Sequence, residues 1–319
     1  MENNWYDHFL DTLSDRYPKK TQLIQALMDI LYIEREAVYR RLRKDVIFSF
    51  QEIVKIASEW NISIDEIIGV SSGNIPFQMR QLDYLHPSED ETKFLQNIMQ
   101  TFSSYEDSPD TEFMNICNKL PRQLFSGFEY LNKFYMFKWL YHYGNENDIV
   151  PFGQIDISKE RFQLTSNYYR AIKHVPKTSF IWDRLLIDYL VSDILYFFSI
   201  QMITNEEKKF IKKDLHEFLD YMQEVANKGC YPETQKKVTL FISHLNIDTN
   251  YSYVFTPDAN ICFIHVFEKY EIYSFNSEIV KKFRLWMQLK KRSSIQISEV
   301  DELNRIEYFS RQRQLVDTL

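Results

Sequence analysis

Residues 21–69 read TQLIQALMDILYIEREAVYRRLRKDVIFSFQEIVKIASEWNISIDEIIG, and the fold of the amino-terminal part follows from how they divide into helices. Leu23, Ile24, Leu27, Met28 and Leu31 recur at helical spacing and predict a helix over 21–31. A second helix is predicted over 34–44. There Val38 and Leu42, four apart, share one face with Ala37 beside them, and Arg35, Tyr39, Arg40, Arg43 and Lys44 cover the broad face left exposed. Only Tyr32 and Ile33 separate the two helices, so they meet at a sharp angle. A short helix, a tight turn and a basic helix make a helix-turn-helix, whose second helix enters the DNA major groove. Ser49-Phe50-Gln51-Glu52 is a capping box opening a helix through Ile53, Ile56, Ala57 and Trp60, and Ser63-Ile64-Asp65-Glu66 is another, leading to Ile67 and Ile68. Upstream, Trp5, Phe9, Leu10 and Leu13 form the apolar face of an opening helix, which brings the number to five.

The pattern of Leu23, Leu27, Ile33, Val38, Leu42, Ile53, Ile56, Ala57, Ile62 and Ile67 resembles the lambda-repressor-like helix-turn-helix domain of bacterial and phage regulators, over roughly residues 9–69. AVYRRL followed by FSFQEIVKIASEWNISIDEI is close to how that family writes its recognition helix and the two helices after it. Tyr32 stands where the family often places Gly in the turn, and Glu34 where it often places a Ser or Thr cap. The resemblance implies that Arg35, Glu36, Tyr39 and Arg40 face base edges: Arg pairs bidentately with guanine, and Tyr39 reaches a thymine methyl or a phosphate. Arg43 and Lys44 read as clamps on the DNA backbone. Lys19, Lys20, Thr21 and Gln22 lie at the start of the second helix, where backbone N–H groups and two lysines attract phosphate. The competing reading of each is a solvated helix face or turn.

Charge pulls the other way. The chain carries a net −7, and residues 1–70 hold nine Lys and Arg against twelve Asp and Glu, a net of −3. Non-specific affinity for DNA comes mostly from positive charge, and the rescue is local: residues 35–44 hold five basic residues against one acidic, which would focus the charge on one face. One recognition helix buries too little surface for tight specific binding, which predicts a homodimer with two heads a helical turn of DNA apart.

Residues 71–82, with Ser71-Ser72-Gly73 and Pro76, break the helical rhythm and divide a domain over 1–70 from one over 83–319. Beyond the break, helical patterns run over 90–105, 110–120, 121–143, 159–175, 179–202 and 205–228. Six glycines in 319 residues argue for long helices over a turn-rich β protein. From 236 to 275 the composition turns β-rich at 238–242, 251–255 and 261–266, which predicts a few short strands. Helices through Val280, Phe283 and Trp286, and over 300–315, close the chain; Lys281, Lys282, Arg284, Lys290, Lys291 and Arg292 make the first of them basic, a second phosphate-contacting surface or, more commonly, a solvated face. The fold class expected is therefore mainly α: a five-helix head followed by a larger helical domain with a few short strands.

The apolar run 180–203 is interrupted by Asp183, Arg184, Asp188 and Asp193, too costly in lipid, so it reads as a buried helix and no membrane partner is expected. Cys117, Cys230 and Cys262 lack any paired spacing and fit a reducing cytoplasm. The amino terminus has no basic segment of a signal peptide. Rings crowd 124–143, and core packing outweighs an aromatic-lined pocket for any one of them. Seven dispersed histidines form no metal spacing, and no phosphate-binding or nucleophile motif occurs, so neither an enzyme, a metal nor a cofactor is expected. The reading is a cytoplasmic, sequence-specific regulator that binds double-stranded DNA, with a carboxy-terminal domain for dimerisation and room for a small-molecule or peptide effector. Length and order resemble regulators whose all-helical effector domain binds a peptide, a plan from which the β-rich segment departs. The alternative is a protein-interaction module that uses the same helical fold without DNA.

Overall fold

The computed structural model describes residues 5–17, 20–60, 62–64, 67, 77–81, 83, 88–144, 149–258, 260–266 and 270–319. It divides into two compact units, Met1–Phe77 and Gln78–Leu319.

In unit 1, α1 (Trp5–Arg16), α2 (Lys20–Leu31), α3 (Arg35–Leu42) and α4 (Phe50–Trp60) surround one core. Phe9, Leu13, Leu23, Ile24, Leu27, Val38, Phe48, Ile53 and Ile56 are buried there, and Ile33, Leu42 and Ile62 pack against it half-buried. Trp5, expected on the inner face of α1, is 46% exposed. The second capping box falls partly outside the described residues, at Asp65 and Glu66; Ile67 is described and buried in the core.

Both helices of the expected pair end on a non-glycine residue in the left-handed region. Tyr32 (φ 56°) follows α2 and donates its N–H to the Met28 carbonyl at 2.9 Å. Lys44 (φ 67°) follows α3; its N–H reaches Arg41 at 3.1 Å, and the Asp45 N–H reaches Arg40 at 2.9 Å. These are the single-bond and paired-bond endings that usually take glycine. The first capping box is fully formed: Ser49 N–H donates to Glu52 Oε2 (2.8 Å) and Glu52 N–H to Ser49 Oγ (3.3 Å).

Unit 2 overturns the mainly α expectation, and with it the all-helical effector plan. Eight strands form one mixed sheet in the order β1-β7-β6-β5-β2-β3-β4-β8. They are β1 (Gln78–Gln81), β2 (Glu112–Cys117), β3 (Lys177–Asp183), β4 (Lys237–Ser243), β5 (Tyr251–Phe255), β6 (Asn260–Val266), β7 (Tyr270–Ser274) and β8 (Ser294–Gln296). β2, β3 and β4 pair in parallel, and every other neighbouring pair is antiparallel. The helices are α5 (Glu89–Ser104), α6 (Arg122–Phe125), α7 (Glu129–Tyr143), α8 (Lys159–Ile172), α9 (Leu186–Ser199), α10 (Asn205–Lys228), α11 (Ser277–Lys290) and α12 (Glu302–Asp317).

Two of the predicted helices are strands. Residues 110–120 hold β2, and the front of 179–202 holds β3, with α9 starting three residues after it. Both are central strands, each parallel to at least one neighbour and covered on both faces, and such strands lack the apolar–polar alternation that marks a half-exposed one. Phe113 and Cys117, Phe180 and Trp182, and Val238, Leu240 and Ile242 face a large core shared with α7, α9, α10 and α12. Met114, Ile116, Ile181 and Phe241 face a smaller one closed by Ile279, Val280 and Met287 of α11. β1 lies inside the stretch 71–82 expected as a connector and pairs with β7. Among the described residues, no helix is long and apolar enough to cross a membrane.

Candidate nucleic-acid interface

α3 positions the expected readers. Val38 is fully buried and Leu42 packs beside it, which turns Arg35, Glu36 and Arg40 outward, all exposed, with Tyr39 half-buried at the rim. Glu34 sits at the N-cap in extended conformation and makes no side-chain cap bond. Tyr39 links the two helices: the ammonium of Lys20, the first residue of α2, lies 5.8 Å from its ring centroid, and the Arg35 guanidinium lies 5.8 Å from the same point. Thr21 and Gln22 are exposed beside Lys20. Lys19 lies outside the described residues.

The basic residues of 35–44 separate into two groups. Among the described residues, no carboxylate pairs with Arg35 or Arg40. The other three are engaged. Arg41 turns inward and makes a bidentate pair with Glu52 (Nη2–Oε1 2.7 Å, Nε–Oε2 3.2 Å) while Nη1 donates to the Ala37 carbonyl at 3.1 Å. Burial pushes the Glu52 carboxyl up, but the Arg41 hydrogen bond and the Ser49 amide outweigh it and hold the acid below its ordinary value. Arg43, expected as a phosphate clamp, pairs with Asp45 (3.0 Å) and Glu36 (3.1 Å). Lys44, expected in the same role, pairs with Asp7 of α1 and supplies the left-handed turn after α3. The Asp45 and Asp7 bonds raise the Arg43 and Lys44 pKa values, so both remain charged; their fields are partly neutralised by these acids.

The basic face of α3 left without carboxylate partners among the described residues is thus narrower than residues 35–44 suggest: Arg35 and Arg40, with Tyr39 and Lys20 beside them. Sequence reasoning did not single out α4, whose outer face carries Phe50 (74% exposed) and Val54 one turn later, lining a shallow groove with Lys55 and Ser58. Their spacing, four apart and off the Ile53–Ile56–Trp60 stripe, was the available signal. Comparison with protein-family models, with curated proteins and with solved structures finds no match to this chain.

Proposed function

We propose that unit 1 binds double-stranded DNA through α3 and that the chain is a transcriptional regulator acting as a homodimer. The observation that carries this reading is the pair Arg35 and Arg40, both exposed and neither paired with a carboxylate among the described residues, flanked by Lys20 and the Tyr39 ring. Two guanidinium groups five residues apart on a short exposed helix suit bidentate reading of guanine in the major groove. The acids around Arg43 and Lys44 weaken indiscriminate attraction to phosphate, which leaves affinity dependent on matched bases and on a second head. The test is retention of a randomised duplex pool by the full chain: wild type enriches a motif of two half-sites, and Arg35→Ala with Arg40→Ala abolishes the enrichment.

The second reading, docking of protein by unit 1, is favoured by one observation. Phe50 and Val54 expose an apolar strip on α4, and an exposed strip of this kind marks contact surfaces. Under it, Phe50→Ser abolishes partner capture while Arg35→Ala and Arg40→Ala leave it intact.

A further inference from the structure

At β2 the sheet changes from parallel pairing with β3 to antiparallel pairing with β5. Crevices at the carboxyl ends of parallel strands, where the order of a sheet switches, are where α/β proteins hold ligands. A cavity of about 290 Å³ opens at that end of unit 2.

Its lining has two kinds of wall. One holds cationic side chains in fixed positions, with the Glu271 and Asp248 carboxylates in the same lining. Arg80 of β1 is held by Glu271 of β7, whose other oxygen meets His265 Nε2 at 3.3 Å. The Arg80 guanidinium lies 3.6 Å over the Phe94 ring, so its plane is fixed, and its Nη1 is buried with no hydrogen-bond partner among the described residues. Arg80 lines the cavity, and a guanidinium is a strong partner for an anionic group. Lys119 follows β2 in a loop clamped by Asn250, whose Oδ1 accepts the N–H groups of Asn118 (3.0 Å) and Lys119 (3.3 Å) while its Nδ2 donates to the Lys119 carbonyl (3.1 Å). Lys138 of α7 lines the same cavity and is paired with Asp193 of α9 at 2.6 Å. Burial, and next the Lys138 ammonium, push Lys119 down to about 8. The other wall is aromatic: Tyr135 and Trp139 of α7 line it, and Tyr135 is stacked on Phe125 at 4.0 Å with the rings 5° from parallel.

We propose that this cavity binds a small organic anion bearing a planar ring, up to the size of a nucleoside monophosphate, with the anionic group on Arg80 and Lys119 and the ring against Tyr135 and Trp139. The Arg80 and Lys119 donors select the anion, and the ring wall separates this class from inorganic anions. The inference does not depend on DNA binding by unit 1, since every residue it uses belongs to unit 2.

The experiment is titration calorimetry on the full chain with the four 5′-nucleoside monophosphates, indole-3-acetate and inorganic phosphate, with Trp fluorescence in parallel. At least one ring-bearing anion binds at one site per chain with Kd below about 1 mM, at least about tenfold tighter than inorganic phosphate. Which arm binds distinguishes a nucleotide from an aromatic carboxylate. Lys119→Gln weakens that binding at least about tenfold, and Lys281→Gln on α11, across the sheet, does not. Should Arg80→Gln disturb its buried pair with Glu271, Trp139→Leu tests the ring wall instead, with the same loss expected. No saturation by any ring-bearing anion at about 10 mM, phosphate binding as tightly as the ring-bearing anions, or binding unmoved by Lys119→Gln and Trp139→Leu would each overturn the proposal.

Discussion

Adjacent arginines on α3 should behave in opposite ways. Arg41→Ala removes three hydrogen bonds, two to the Glu52 carboxylate and one to the Ala37 carbonyl, from a pair whose side chains are each 18% exposed. Breaking an exposed pair costs ~0–1 kcal/mol and orphaning a buried charge ~3–5 kcal/mol. Glu52 keeps the Ser49 amide at 2.8 Å, so the loss should fall between these limits, at about 2 kcal/mol. Arg40→Ala removes an exposed side chain with no carboxylate partner among the described residues, at a cost within about 0.5 kcal/mol. Hydrogen exchange read by mass spectrometry on the full chain localises the effect: amides of α2–α4 should lose protection about 30-fold in Arg41→Ala and hardly at all in Arg40→Ala. Duplex binding at a temperature where both stay folded should show the reverse, with a loss of about 1–3 kcal/mol for Arg40→Ala. Equal destabilisation by the two substitutions, or none by Arg41→Ala, would refute the division of α3 into an anchoring and a reading arginine.

Three further outcomes follow from single contacts. Tyr32 occupies a left-handed position that disfavours any Cβ, so Tyr32→Gly should be more stable than Tyr32→Ala by about 1 kcal/mol, read from exchange in α2 and α3; equal stabilities would contradict the strain. The N-terminus of α7 has no side-chain cap of its own, and Asp214 of α10 accepts the N–H groups of Tyr130 (2.6 Å) and Leu131 (3.0 Å), so Asp214→Ala should lower unit 2 stability by about 2 kcal/mol in denaturant melts. Burial holds His265 below its ordinary 6.5, and Arg80 and His265 overcome burial to hold Glu271 below 4.5. Protons are then taken up by the unfolded chain before the folded one, so the stability of unit 2 should decline as pH falls from about 6.5 and again below about 4.5. A Glu271→Gln chain with an unchanged acid limb would contradict that assignment.

The amino-terminal helices were legible because each buries one stripe and leaves the rest in water, so Leu23, Leu27, Val38, Ile53 and Ile56 print the helical period directly. The Ser49–Glu52 capping box is a local interaction and was equally plain. Fates of individual arginines were not, because Arg41 and Arg40 are identical letters on adjacent positions and only the fold decides which meets Glu52, eleven residues on. The sheet was hidden for two reasons. β2 and β3 bury both faces, so neither alternates, and β3 runs into α9 as one apolar stretch. Few glycines misled as well: Gln201, Gln235 and Glu299 take left-handed turn positions, and the parallel strands are joined by helices that need no tight turn. α10, with its Thr204–Glu207 capping box and left-handed Gly229 at the end, follows the predicted bounds 205–228 because both of its ends are written locally. The cavity had no such signature: Arg80, Lys119 and Glu271 lie up to 191 residues apart and meet only through strand order.

The most direct measurement of the central claim is selection of bound duplexes from a randomised pool by the full chain, repeated with Arg35→Ala and Arg40→Ala together. The wild-type chain should enrich paired half-sites about one helical turn apart, each containing guanine, and the substituted chain should enrich nothing while keeping its melting profile. A pool left unenriched by the wild-type chain at low salt, or enriched equally by the substituted one, would contradict the assignment of α3 as the reading helix.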